Sequence, residues 1–72
     1  MAGVMVGPGV LIDRYHRGAI VLVGSATFAV PEQMVRLLEK VSRVTATYQP
    51  QDELEEEAAR ELVARGILLE AP

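Results

Sequence analysis

The sequence contains no cysteine, tryptophan or asparagine, and it has a single histidine and a single lysine. Without cysteine, no disulfide can stabilise this short chain, and a zinc site would have to be built from carboxylates and His16. We therefore predict a fold that depends on neither a metal nor any other cofactor.

Clustered basic charge and a long hydrophobic run are missing as well. The N-terminal stretch MAGVMVGPGVLI is apolar, but no basic residue precedes it and its Gly-Pro-Gly would break a spanning helix. Seven basic and ten acidic residues give a formal net charge of −3, whereas binding to a phosphate backbone needs clustered Lys and Arg. The sequence thus predicts a soluble, cytoplasmic protein that does not bind membranes, and it disfavours nucleic acid as the partner.

The residues that are present favour a small aliphatic core. Half of the 72 residues are hydrophobic, and the three aromatic residues are Tyr15, Phe28 and Tyr48. Residues 1–72 suffice for one domain, and a chain of this length buries only about 60% of the surface that it exposes when unfolded. The remaining apolar surface suggests a partner, and the oligomeric state stays open.

Glycine and strand-forming residues divide the first part of the chain. Residues 1–9, with glycine at positions 3, 7 and 9, predict a flexible N-terminal arm. A phosphate-binding loop is not indicated, because no G-K-[ST] and no helix follow these glycines.

A three-stranded antiparallel meander is predicted for residues 10–30. Its strands are rich in aliphatic residues and cover residues 10–15, 19–23 and 26–30. The first loop, residues 16–18, places Gly18 where a positive φ is expected. Gly24 and Ser25 form a two-residue turn of the kind that closes a hairpin.

The third strand ends the meander and is predicted to be half buried. Its side chains alternate between two faces, with Ala26, Phe28 and Val30 on one and Ser25, Thr27 and Ala29 on the other. Neither lysine nor a bulge blunts this strand, although natural edge strands usually carry such protection. The segment predicts an open edge for another strand, unless the N-terminal arm or residues 44–48 cover it.

A helix is predicted for residues 31–43. Pro31 suits the first turn, where its missing N–H costs nothing, and Glu32 lies favourably near the positive end of the helix dipole. An apolar stripe at helical spacing faces the core and comprises Met34, Val35, Leu37, Leu38 and Val41.

Residues 44–51 predict a linker, either extended or with a short strand, because β-branched residues and Pro50 oppose a helix. A second helix is predicted for residues 52–66. Asp52 and Glu55 form a D-x-x-E capping signal at its start, and Gly66 is placed at its stop.

Along this second helix, Leu54, Ala58 and Leu62 recur at four-residue steps and predict its core face. The pairs Glu56 with Arg60 and Glu61 with Arg65 have the spacing of helical ion pairs. Residues 67–72 are predicted as a C-terminal tail in which Ile67, Leu68 and Leu69 fold back on the core, with a last strand as one option.

Together these segments predict an α+β domain, a three-stranded antiparallel β-meander followed by two helices, in a winged-helix-like arrangement. Apolar residues from the first helix meet residues from the strands and the second helix in the predicted core. These residues are Met34, Leu37, Leu38, Val41, Phe28, Ile20, Leu22, Leu54 and Leu62.

No constellation for catalysis emerges, and we predict that the protein is not an enzyme. Asp13 lies three positions before His16, but a lone pair in a turn is typical of a solvated surface. Ser25 lacks the G-x-S-x-G elbow of a nucleophilic serine. The acidic run DELEEE could attract cations or a basic partner, although carboxylates at a helix start are common capping groups.

Two stretches of the sequence resemble the peptide-recognition domains of RiPP biosynthesis, of the type seen in the PqqD peptide chaperone. They are GVLIDRYHRGAIVLVGSATFAVP, over the predicted strands, and EEAARELVARGILLE, over the last helix and its glycine stop. That family usually has one more helix between the two predicted here. The resemblance implies a non-catalytic module that captures a leader peptide as an added strand, between the third strand and the last helix. The implied partner-binding residues are Ala26, Thr27, Phe28, Ala29, Val30, Ala59, Leu62 and Val63.

Two alternatives stay open. The segments SATFAVPEQMVRLLEKV and DELEEEAARELVARG are similar to a ribbon-helix-helix DNA-binding protein, which implies a dimer whose Ser25, Thr27 and Ala29 enter the major groove. These side chains include no Arg, Lys, Asn or Gln, and the second helix is acidic. The other alternative is a small phage-type structural or regulatory protein that attaches to a larger assembly. We favour a module that binds a peptide or protein partner by strand addition.

Overall fold

The computed structural model describes residues 2–71, which fold into two antiparallel sheets and two helices. In chain order the elements are β1 (Val4–Val6), β2 (Leu11–Tyr15), β3 (Gly18–Val23), β4 (Ala26–Pro31), α1 (Glu32–Ser42), α2 (Glu53–Ala64) and β5 (Leu68–Glu70). The strands β2, β3 and β4 form one sheet in meander order, and β1 pairs with β5. The predicted α+β class, with a three-stranded antiparallel sheet and two helices, is confirmed.

A tight turn at Gly24 and Ser25 sets the register between β3 and β4. Gly24 has a φ of 60°, as expected for a two-residue hairpin turn that begins with glycine. Val23 therefore pairs with Ala26, and Val21 pairs with Phe28. The second predicted hairpin is confirmed.

The helices cover only one face of this sheet. On β3, Ala19 and Val21 are fully buried against α1, whereas Leu22 is 38% exposed. The predicted core placed Ile20 and Leu22 on the same face as Phe28, and this is wrong. Phe28 pairs with Val21, so these two side chains share the face that packs on the helices. Side chains alternate along a strand, so Ile20 and Leu22 project from the open face of the sheet.

The loop between β2 and β3 differs from the prediction in its backbone. It consists of His16 and Arg17 alone, and the positive φ falls on Arg17, at 69°, not on Gly18. Gly18 begins β3 and is needed for a different reason. A Cβ atom there would lie 2.8 Å from the carbonyl oxygen of Val30, which is closer than any side chain tolerates.

Helix α1 begins one residue later than predicted, because Pro31 is still the last residue of β4. Pro31 has the extended backbone of a residue that precedes a helix, with φ −72° and ψ 164°. The predicted stripe is confirmed, since Val35, Leu37, Leu38 and Val41 are buried and Met34 packs against them. Burial of each such side chain contributes about 1.5–3 kcal/mol.

Helix α2 has the predicted signals at both of its ends. The Asp52 side chain accepts a hydrogen bond from the Glu55 backbone N–H at 2.9 Å. Gly66 has a φ of 78°, and the next backbone N–H, that of Ile67, donates to the Leu62 carbonyl at 2.9 Å. These bonds stop the helix and turn the chain towards β5.

The predicted core face of α2 is wrong in its first turn. Leu54 is 78% exposed, whereas Ala59 and Leu62 are fully buried. Glu55 precedes Leu62 by seven residues, or two helical turns, and so occupies the inward face at that level. Its side chain is only 13% exposed, which leaves Leu54 on the outside.

The prediction of a flexible arm for residues 1–9 is wrong for the part that contains β1, and residue 1 lies outside the described residues. Val4–Val6 forms β1, pairs with β5 and buries Val4 completely. Within the linker, Tyr48 forms an isolated bridge to Val4, with N–H to carbonyl distances of 2.8 and 2.9 Å in the two directions. The apolar side chains of β1 and β5 complete the core beside α1, which stabilises these segments despite their glycine-rich neighbours.

Replacing Arg17 with glycine is expected to stabilise the protein by about 1 kcal/mol. A side chain disfavours the left-handed backbone region that Arg17 occupies, and glycine removes this cost. Urea unfolding of both proteins, followed by circular dichroism, measures the difference in the free energy of unfolding.

Arg43→Gly is the matched control, because Arg43 is also exposed but has an ordinary helical backbone with φ −85°. It removes the same charge and adds the same glycine without relieving strain, so it should not stabilise. A loss of stability in Arg17→Gly equal to that of the control would contradict the expectation.

Candidate functional site

The outer edge of β4 is the best candidate for a functional site. β4 is the last strand of its sheet and pairs along all six residues with β3. The turn makes Val23 and Ala26 a hydrogen-bonded pair, and such pairs alternate with non-hydrogen-bonded ones along the hairpin. Thr27 and Ala29 therefore point their backbone N–H and C=O groups away from β3, at the free edge.

Neither segment that was expected to compete for this edge covers it. The N-terminal segment pairs with β5, and the linker forms its bridge with β1 through Tyr48. Within residues 2–71, no strand or bridge is paired with the outer side of β4. The predicted open edge is therefore present in the fold.

The two edges of the three-stranded sheet differ in charge. β4 carries no charged side chain, whereas β2, at the opposite edge, carries Asp13 and Arg14. Arg14 reaches over to α1, where its guanidinium forms ion pairs with Glu32 and Glu39. Charged side chains discourage strand pairing, so β4 is the less protected edge.

The helix side of the predicted site needs correction. Ala59 and Leu62 are fully buried and do not line an open groove beside β4, whereas Val63 is partly buried. Phe28 is the half-buried member of β4, and the Arg65 guanidinium lies over its ring, 5.8 Å from the centroid. Beside the free edge, Phe28 and Arg65 thus take the place that was predicted for Ala59 and Leu62.

The sequence did not indicate an apolar cleft beside β2. Its volume is about 480 Å³, and no charged side chain lines it. It contains four of the eight exposed large hydrophobic residues among residues 2–71, namely Met5, Leu11, Ile12 and Val44. The cleft depends on β1, which was predicted as an arm, although the apolar run Val4–Val6 was a signal for a strand.

The residues that were considered for catalysis lie on three different elements of the fold. His16 and Ser25 are exposed turn residues, and Asp13 lies on β2. Neither His16 nor Asp13 forms a side-chain hydrogen bond or ion pair with another residue of the described chain. The described part of the chain also contains no cluster of three or more histidine, aspartate or glutamate residues arranged for a metal ion.

Charge is unevenly divided between the two parts of the chain. Residues 1–51 carry five basic and three acidic side chains, whereas residues 52–72 carry two basic and seven acidic ones. Both predicted ion pairs on α2 are present, with Arg60 2.6 Å from Glu56 and Arg65 2.9 Å from Glu61. The acidic surface is therefore that of α2, and the basic surface lies on the meander and α1.

Glu55 ties the linker to both helices. One carboxylate oxygen accepts from the Tyr48 hydroxyl at 2.8 Å and from the Gln51 backbone N–H at 2.9 Å. The other lies 2.6 Å from the Lys40 ammonium on α1. These bonds hold Tyr48 where it pairs with β1, and so keep the linker away from β4.

These contacts shift the pKa values of the three side chains. The hydrogen bond from Lys40 holds the pKa of Glu55 below its ordinary value, and burial opposes this shift. The same hydrogen bond raises the pKa of Lys40. Burial raises the pKa of Tyr48, with the hydrogen bond to Glu55 as the second cause.

Comparison of the chain with protein-family models, with curated proteins and with solved structures found no match. The resemblance to RiPP recognition domains stays a prediction. Neither helix in residues 2–71 has the length and hydropathy needed to cross a bilayer.

Acid should weaken the protein partly through Glu55. Its pKa is lowered in the folded state, so its contribution to stability is present above the ordinary value of 4.5 and is lost as the pH falls through the folded-state pKa. We expect Glu55→Gln to be less stable at neutral pH, and to lose less free energy of unfolding below pH 4.5 than the wild type.

Urea unfolding at a series of pH values measures this difference. Glu57→Gln is the control, because Glu57 is exposed and its side chain forms no ion pair or hydrogen bond within the described residues. Parallel stability curves for the wild type and Glu55→Gln would show that ionisation of Glu55 does not contribute to the loss of stability in acid.

Proposed function

We propose that this protein is a non-catalytic binding module that captures an extended segment of a peptide or protein partner by strand addition to β4. The observation that carries the proposal is the uncharged free edge on which Thr27 and Ala29 point their backbone groups outward. Main-chain hydrogen bonds to an added strand would supply affinity, and the neighbouring side chains would supply specificity.

The side chains around the edge suggest the kind of segment that fits. Alternate residues of the added strand would face the helices beside Phe28, Val63 and Arg65. The intervening residues would face solvent beside Thr27 and Ala29. An extended segment with an apolar residue against Phe28 suits this surface, and a RiPP leader peptide is the partner that the resemblance suggests.

The reducing environment of the cytoplasm suits a chain without cysteine, and a cytoplasmic location is part of the proposal. A second copy of the chain could occupy the same edge, as in the ribbon-helix-helix and assembly alternatives. The acidic first turn of α2 disfavours an approach to DNA phosphates.

Thr27→Pro should reduce the affinity for an added strand about tenfold or more. Proline removes the outward N–H of Thr27 and places its ring at the edge, without removing a bond to β3. Peptides selected from a random phage-displayed library on the wild-type protein, and then synthesised, serve as probes. Isothermal titration with each variant measures the dissociation constant.

Two controls locate the effect. Thr27→Ala keeps the N–H and should bind as the wild type does, whereas Ile12→Pro makes the equivalent change on the edge of β2 and should also leave binding intact. Equal binding by wild type and a folded Thr27→Pro variant would refute the proposal. Loss of binding in Ile12→Pro alone would move the site to β2 and its apolar cleft. Light scattering measures whether the protein dimerises, and a dimer that dissociates in Thr27→Pro but not in Ile12→Pro would place the second copy on the edge of β4.

A further inference from the structure

Arg17 combines two features that no other residue of the described chain combines. Within residues 2–71 it is the only residue other than glycine with a positive φ, at 69°. It is also the only lysine or arginine in that range with no ion pair and no hydrogen bond. A free guanidinium thus stands on a strained turn.

The tight two-residue loop accounts for a positive φ at its second position, but not for the presence of arginine there. Glycine, asparagine and aspartate are the residues that adopt this backbone region at low cost, and arginine gains nothing from it. The neighbouring Gly18, which would have been free of strain there, instead begins β3. A non-glycine residue held in this region is a recognised sign of a functional position.

The surroundings of Arg17 supply more positive charge. A shallow cleft of about 400 Å³ lies at the tip of the β2–β3 hairpin and is lined by Arg14, Tyr15, His16, Arg17, Glu32 and Arg36. Arg36 is 75% exposed, and its nearest carboxylate oxygen, on Glu32, is 3.9 Å away. Arg14 is already held by Glu32 and Glu39. The Arg17 guanidinium is therefore free, and that of Arg36 is held only by one long ion pair, which a ligand would have to replace.

The charge pattern favours a multiply charged anion. These two guanidinium groups and an adjacent imidazole stand at one cleft, on the basic side of a protein whose formal net charge is −3. Each guanidinium can donate two parallel hydrogen bonds to a phosphate or a carboxylate. A dianionic phosphate carries more charge and more acceptor oxygens than a carboxylate and can accept from both groups, while the Glu32 carboxylate in the same cleft opposes either anion.

We propose that the tip of the β2–β3 hairpin is a binding site for a phosphate group, with Arg17 and Arg36 as its ligating residues. The strained turn presents the Arg17 guanidinium towards the anion instead of leaving it to pair within the chain. Tyr15, which is 49% exposed, also lines this cleft, and its ring lies over Gly18 on the open face of the sheet. The ligand class is phosphate, free or as a monoester.

The site is separate from the edge of β4 and does not depend on strand addition. It lies at the loop between β2 and β3, next to the end of β4 that joins α1, where Gly18 pairs with Pro31. No residue of β4 lines it, and Thr27 and Ala29 are at the other part of that strand. Failure of one proposal therefore leaves the other intact.

Titration of the ¹⁵N-labelled protein, followed by amide and guanidinium NMR signals, tests the site at neutral pH. The probes are sodium phosphate and, at matched ionic strength, sodium chloride. Phosphate is expected to produce saturable shifts at His16, Arg17 and Arg36, and chloride none. Adenosine monophosphate forms the second arm. Tighter binding than that of inorganic phosphate identifies a monoester with a planar group, and equal binding identifies free phosphate.

Arg17→Gly is expected to weaken phosphate binding about tenfold while raising the thermal midpoint of unfolding. Arg36→Ala should also weaken binding, whereas Arg43→Gly, which removes an exposed arginine elsewhere on the surface, should not. Equal loss in Arg17→Gly and Arg43→Gly would mean that only net charge matters, and would overturn the proposal. Identical shifts with chloride, or no shift with phosphate, would overturn it as well.

Discussion

The pairing of β1 with β5 closes the core of this small protein. It places Val4 and Leu68, both fully buried, beside residues of α1 and α2. Tyr48 joins the same arrangement through its two backbone bonds to Val4, and Glu55 fixes Tyr48 in turn. Because the N-terminal segment and the linker are both engaged there, neither is available to β4. The free edge is thus a consequence of how the core is sealed.

The three-stranded sheet divides the surface into regions of different character. One face packs on the helices, the other carries exposed Leu11, Tyr15 and Leu22, and the two edges differ in charge. The hairpin tip adds a basic cluster, while α2 presents carboxylates. A chain of 72 residues can therefore carry both an uncharged, strand-accepting edge along β4 and a basic cleft at the tip of the β2–β3 hairpin, with no lining residue in common.

Local patterns predicted the elements well, because caps, turns and helical stripes act over a few residues. The errors arose where side-chain direction or distant pairing decides. The two-residue turn at Gly24 places Phe28 opposite Val21, on the same face of the sheet. The exposure of Leu22 on the other face could therefore have been predicted from the sequence. The burial of Glu55 instead of Leu54 was not, since it depends on Lys40 and Tyr48. The free edge of β4 was predicted, but the fate of the N-terminal segment was decided by β5, near the other end of the described chain.

The distance along the chain between β1 and β5 also has a kinetic consequence. Pairing Val4 with Glu70 closes a loop of nearly the whole chain, whereas the meander and the α1–α2 contacts close short loops. Contacts so far apart in sequence form late and make folding slower than the local hairpins alone would allow. In the folded protein they also belong to a short two-stranded ladder, which favours opening in local fluctuations. Such an opening would separate the outer segments while the β2–β3–β4 hairpins kept their order.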